Sequence, residues 1–173
     1  HPYFSTLLGG IMVSVVRQKL PKNILYDAIS ETDKCLPDAI QMLTPCTIGN
    51  GWMRIINSGR FALCLYNKIT GDGIRVTVDP VKIKGFPDLN DWFFVLRPKK
   101  EQDKERILSG IEHSGREILT VSQVKVDLNS LSDKYEGKYA ICRECQESYP
   151  VNDLGLCLVC QGKASYYETV KRK

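Results

Sequence analysis

The chain has 173 residues, 43% of them hydrophobic and 25% charged, with a formal net charge of +4. That balance is ordinary for a globular protein, and the length allows one full domain plus a small module. No apolar run reaches the roughly 20 residues that a bilayer-spanning helix needs, and the apolar stretch Phe4–Val16 has neither the basic leader nor the cleavage site of a signal peptide.

In chain order, residues 4–20 mix large apolar and small side chains and stop before Pro21, which predicts a mostly buried helix. The short apolar run Ile24–Ile29 predicts a strand. A second helix follows, with Thr32 or Asp33 as its cap, Pro37 in its first turn, and Leu36, Ile40 and Leu43 at helical spacing. Thr47-Ile48-Gly49-Asn50-Gly51 reads as a flexible loop. The middle is β-rich. Trp52–Ile56, Arg60–Asn67 and Ile74–Val78 are expected strands, and Asn57-Ser58-Gly59 and Thr70-Gly71-Asp72-Gly73 between them have hairpin-turn composition. Phe61, Leu63 and Leu65 alternate with Ala62, Cys64 and Tyr66, so that strand should be buried on both faces. Glu101–Leu119 is a charged amphipathic helix with Ile107, Leu108, Ile111 and Ile118 as its apolar stripe, and Val121–Leu128 returns as a strand. The elements are segregated and not strictly alternating. This predicts an α+β core over residues 1–135, with mixed helices and a mainly antiparallel sheet, and a separate module over residues 136–173 beyond a polar linker.

That module carries Cys142, Cys145, Cys157 and Cys160 as C-x2-C-x11-C-x2-C. Two such pairs match a tetrahedral zinc site, because each places two thiolates on one tight turn and the loop lets the second pair close over the same ion. A closed four-thiolate site leaves no open coordination position, so its zinc would hold structure. Two disulfides or redox chemistry are the alternatives; the chain lacks a disulfide-rich look and a thioredoxin-like βαβ unit around the motif. The remaining cysteines are Cys35, Cys46 and Cys64, an odd number that favours a reducing, cytoplasmic compartment. From residue 136 onward six Lys/Arg face five Asp/Glu, a net charge of +1 that argues against nucleic-acid binding. GxGxxG, P-loop, GxSxG and HExxH signatures are absent from the sequence. His113 lies in the charged helix and reads as an ordinary helical histidine. Cys64, inside an apolar strand, reads as core.

Several segments together are similar to the E-subunit family of formylmethanofuran dehydrogenase. They are Glu31-Thr32-Asp33-Lys34-Cys35-Leu36-Pro37-Asp38-Ala39-Ile40-Gln41, Thr44-Pro45-Cys46-Thr47-Ile48-Gly49-Asn50-Gly51, Phe61–Asn67 and Thr70–Val76. Cys142 to Cys160 followed by Tyr166-Tyr167 resembles the treble-clef zinc finger with which family members often end. In the family's N-terminal motif of two histidines, His1 takes the second histidine's place and Gly9 the helical glycine's. Tyr3 and Ser5 stand where the family often has cysteine and glycine.

The resemblance implies a cleft formed by His1, Cys35 and Cys46, near Asp33, able to hold a second metal or to exchange disulfides. A cysteine in the first turn of a helix sees unpaired N–H groups that favour thiolate. Read from the residues alone, Cys35 and Cys46 also pass as small buried hydrophobes. The resemblance further implies an accessory protein to a molybdenum or tungsten enzyme of one-carbon metabolism, related to methanogenesis, with that enzyme's subunits as partners. A stand-alone thiol- or metal-dependent enzyme is the second reading, and a zinc-finger regulator of nucleic acid the third. An N-terminal helix apolar on every side needs cover all round, which together with the dimers of the family predicts a homodimer.

Overall fold

The long apolar helix expected at the N-terminus is α1 (Pro2–Lys19), and it ends where Leu20-Pro21 stops it. The computed structural model describes residues 2–131, 138–151 and 155–163. His1, Tyr166 and Tyr167 lie outside the described residues. The chain divides into two compact units, His1–Leu131 and Ser132–Lys173.

In the first unit, β1 (Tyr26–Ser30), α2 (Leu36–Leu43), β2 (Met53–Ile55), β3 (Ala62–Asn67), β4 (Asp72–Val78), α3 (Pro87–Phe93), α4 (Lys104–Ser114) and β5 (Leu119–Lys125) follow α1. The strands form one sheet in the order β2-β1-β3-β4-β5. β1 pairs with β2 in parallel, and every other pairing is antiparallel. The expected hairpin across Asn57-Ser58-Gly59 is therefore corrected: β1 lies between β2 and β3. The reason is tertiary. β3 is apolar on both faces and takes the centre, so it needs a neighbour on each edge.

Leu63 and Leu65 of β3 join Leu8, Met12 and Val16 of α1 in the main core. Cys64 and Tyr66 point the other way and pack with Ile29 under Val124, Val126, Leu128 and Leu131. α1 is covered within its own unit by α2, α4 and the sheet. Its need for cover, the basis on which the sequence suggested a second copy, is thus largely met in one chain. Gly9 allows the closest approach: a Cβ there would lie 2.8 Å from the Ala39 Cβ in α2.

Three further local expectations differ. α2 is capped by Cys35, not by Thr32 or Asp33, because the Thr32 hydroxyl accepts the Lys34 N–H at 3.1 Å and closes a turn before the helix starts. α4 is shorter than residues 101–119; Asp103 caps it by accepting from Glu105 and Arg106 N–H, and Leu119 already belongs to β5. α3 was not anticipated at all. The loop at 47–51 is braced: Asn50 Oδ1 accepts from the N–H of Thr47 and Trp52, and its Nδ2 donates to the Pro45 carbonyl. Among the described residues, no helix is long and apolar enough to cross a membrane.

Candidate functional site

In the second unit, β6 (Tyr139–Ile141) pairs antiparallel with β7 (Ser148–Pro150). The turn between them carries Cys142 and Cys145, closed by Cys142 N–H to the Glu147 carbonyl at 2.8 Å and Gln146 N–H to the Cys142 carbonyl at 3.0 Å. A second turn carries Cys157 and Cys160, closed by Gln161 N–H to the Cys157 carbonyl at 3.0 Å. All four sulfurs lie within 4.8 Å of one another, and Cys145 and Cys157 are 3.8 Å apart. A tetrahedron with metal–sulfur bonds of about 2.3 Å has edges of about 3.8 Å.

The surroundings also favour a cation. Backbone N–H groups of Cys145 and Cys157 lower the Cys142 thiol to about 6. Hydrogen bonding to the Cys157 sulfur pushes Cys160 up to about 12. Four sulfurs this close can all be thiolates only with positive charge among them. The residues fit a structural metal.

The first unit carries a cleft of about 670 Å³. It lies where the C-terminal ends of β1 and β4 meet the start of β3. The turn after β1 contributes Thr32 and Lys34, the entry to β3 contributes Arg60 and Phe61, and β4 contributes Thr77 and Val78. Ser5 of α1 and the end of α3 complete the wall. Trp92, Phe93 and Phe94 form an edge-to-face series, with ring centroids 6.1 Å and 5.2 Å apart, and Phe61 meets Phe93 at 5.8 Å.

Glu31 anchors the charged side of this region. Only 7% exposed, it binds Arg75 through both oxygens, at 2.5 Å to Nε and 2.9 Å to Nη2, and Arg60 Nε at 2.7 Å. The Arg75 hydrogen bonds hold its carboxyl below the ordinary glutamate value. The trio of one carboxylate and two guanidinium groups carries a net charge of +1.

The expected site residues fall as follows. Cys35 is half-buried, follows the cleft residue Lys34, and takes φ 52 with no side-chain cap hydrogen bond. The Leu36 N–H folds back across it to the Lys34 carbonyl. A non-glycine residue with positive φ is strained and marks the position. Asp33 is exposed and pairs with Lys34 at 3.4 Å. Cys46 is fully buried, and its Sγ lies 3.5 Å from the Tyr26 carbonyl at the start of β1. Burial pushes its thiol up. Cys35 follows the other end of β1, and the eight residues of α2 separate the two cysteines, a rise of about 12 Å. The structure does not bring Cys35 and Cys46 together, and His1 lies outside the described residues. Cys64 is buried, and desolvation pushes it up to about 12.

Sequence reasoning missed Glu31, Arg60 and the aromatic wall. A carboxylate at the end of an apolar strand and the run Trp92-Phe93-Phe94 before Lys99 were the available signals.

Residues 4–126 match the family model described as FmdE, molybdenum formylmethanofuran dehydrogenase operon. Residues 133–167 match the model of the FmdE treble clef zinc finger. The chain is 44% identical to a solved FmdE-like protein of tungsten formylmethanofuran dehydrogenase from Syntrophus aciditrophicus, with a TM-score of 0.85 over 96% of this chain and 86% of that one. It is 30% identical over 160 residues to a probable S-adenosyl-L-methionine-binding protein of Archaeoglobus fulgidus, covering 84% of this chain and 42% of the relative. The chain thus spans less than half the length of that curated relative.

Proposed function

The chain belongs to the FmdE family, and on that premise we propose that it is an accessory protein to a molybdenum- or tungsten-dependent enzyme of one-carbon metabolism. In this reading the core cleft holds a small ligand, and zinc in the four-cysteine cluster gives the second unit its structure. The observation that carries it is the cleft itself, about 670 Å³ and walled by side chains from four separate parts of the first unit. That volume lies within the usual range of small-molecule sites, about 300–1,000 Å³. The names of the family model and of the Syntrophus relative support the link to the enzyme, and the Archaeoglobus relative's name is that of a small-molecule binder. The test is to co-express the catalytic subunits of a formylmethanofuran dehydrogenase with and without this chain. Lower metal loading or activity without it supports the accessory role; equal loading and activity with both removes it.

A second reading is a metal site or reactive thiol at Cys35 with His1. The positive φ of Cys35 beside the cleft favours it. Metal analysis of full-length protein reads it directly: two metals per chain, falling to one in Cys35→Ser, supports the site, and one metal in both removes it. A homodimer belongs to the same proposal. Sedimentation velocity at micromolar concentration that shows a monomer removes it.

A further inference from the structure

We propose that the cleft selects a ligand joining negative charge to an aromatic or heteroaromatic ring, a specification that rests on reading the cleft as a ligand site. The charge half comes from its lining. Lys34, Arg60 and Lys99 line it, and among the described residues that do so none is acidic. The Glu31 carboxylate does not cancel this field, because Arg75 already binds both its oxygens. Glu31 instead positions Arg60. It takes the Nε, and a guanidinium has four further N–H donors on its terminal nitrogens for an anion. The Lys34–Asp33 pair is long at 3.4 Å and exposed, so it neutralises Lys34 weakly.

The ring half comes from the opposite wall. Phe93 is fixed edge-to-face by Phe61, Trp92 and Phe94. Phe94 itself remains 43% exposed, and an exposed ring beside cations is a stacking platform. Val95 brings the chain round after it with φ 55, a conformation β-branched residues avoid. Backbone strain at a cleft wall is a common mark of ligand sites.

The charge argument also separates ligands that share a ring. S-adenosylmethionine carries one carboxylate, one ammonium and one sulfonium, a net charge of +1, and three lining cations repel it. An adenine nucleotide presents the same ring with the opposite sign.

The test is calorimetric titration of the full chain with adenosine diphosphate, flavin mononucleotide, adenosine, riboflavin, S-adenosylmethionine and pyrophosphate. At least one of the two nucleotides should bind about tenfold or more tighter than its neutral nucleoside and than pyrophosphate, with affinity falling as salt rises. Arg60→Ala and Phe94→Ala, both at exposed positions, should each weaken that nucleotide about tenfold while circular dichroism stays unchanged. S-adenosylmethionine, adenosine or riboflavin binding tightest overturns the anionic class and leaves the cleft a ligand site. Pyrophosphate binding as tightly as the nucleotides overturns the ring. Binding by none of the six overturns this proposal. The reading of the cleft as a ligand site falls separately, if native mass spectrometry also finds no small molecule retained by the protein from cells.

Discussion

Gly9 of α1 and Ala39 of α2 meet so closely that a Cβ on Gly9 would come within 2.8 Å of the Ala39 Cβ and 3.1 Å of a Leu36 methyl. Both neighbours sit on a helix and cannot swing away. Ala in a helix is about 1 kcal/mol better than Gly, whereas overpacking costs roughly 1–3 kcal/mol. Gly9→Ala should therefore lower stability by about 1 kcal/mol net, and Gly9→Val by more. Gly10→Ala should raise stability, since its nearest contact, Leu43 Cδ1 at 3.4 Å, is ordinary packing. Urea unfolding of the three variants checks the contrast; equal effects at positions 9 and 10 contradict this helix contact.

Glu31→Gln should destabilise the first unit by about 3 kcal/mol, because it leaves buried guanidinium without its carboxylate. The pH dependence has a definite sign. Arg75 holds the folded carboxyl below its ordinary value of 4.5, so the unfolded chain takes up this proton first as pH falls. The stabilisation is full above 4.5 and disappears as pH drops through the folded value. Wild type should lose stability more steeply than Glu31→Gln on acidification below 4.5. Parallel acid-unfolding curves would show that the pair contributes nothing.

Cys157→Ser should release one zinc per chain and loosen residues 138–163, while hydrogen exchange of the first unit stays unchanged. A small unit with two short strands depends on its metal for folding energy. A variant that retains a full equivalent of zinc would contradict the four-sulfur cluster.

In the native, zinc-loaded protein, iodoacetamide should label Cys35 well before Cys46 or Cys64. Cys35 is half-buried, whereas Cys46 and Cys64 are buried and their thiols pushed up, Cys64 to about 12. Peptide mapping reads the order, and labelling of Cys64 as fast as Cys35 would contradict the burial.

Val95→Gly should stabilise the protein by about 1 kcal/mol, since an L side chain in the left-handed region costs about 1–2 kcal/mol. Val95 has φ 55 and is 70% exposed, so losing its side chain removes little packing. Thermal unfolding shows the gain; a lower Tm would mean that its side chain packs more than its exposure shows.

The elements read most surely from the sequence are those whose signal is local. The four cysteines declare a metal site because two C-x2-C turns position their own thiols before any long-range folding. α1 and β3 were legible because burial on all sides leaves a continuous apolar run. The loop at 47–51 is visible in the sequence but its bracing is not, because nothing in its glycines shows that Asn50 ties it together. Cys35 and Cys46 share a family pattern without sharing a place, since α2 and β1 hold them at opposite ends.

The sequence by itself determined the α+β class, the four-cysteine module and the apolar centre, since spacing and periodicity act over a few residues. Tertiary structure alone decided that β1 would separate β2 from β3, and that Ser5, Lys34, Arg60, Phe94 and Lys99 would line one cleft. Those residues are far apart in the chain and share no period. They meet only because strand order follows which edges of β3 must be covered, a property of the whole sheet and not of any one segment.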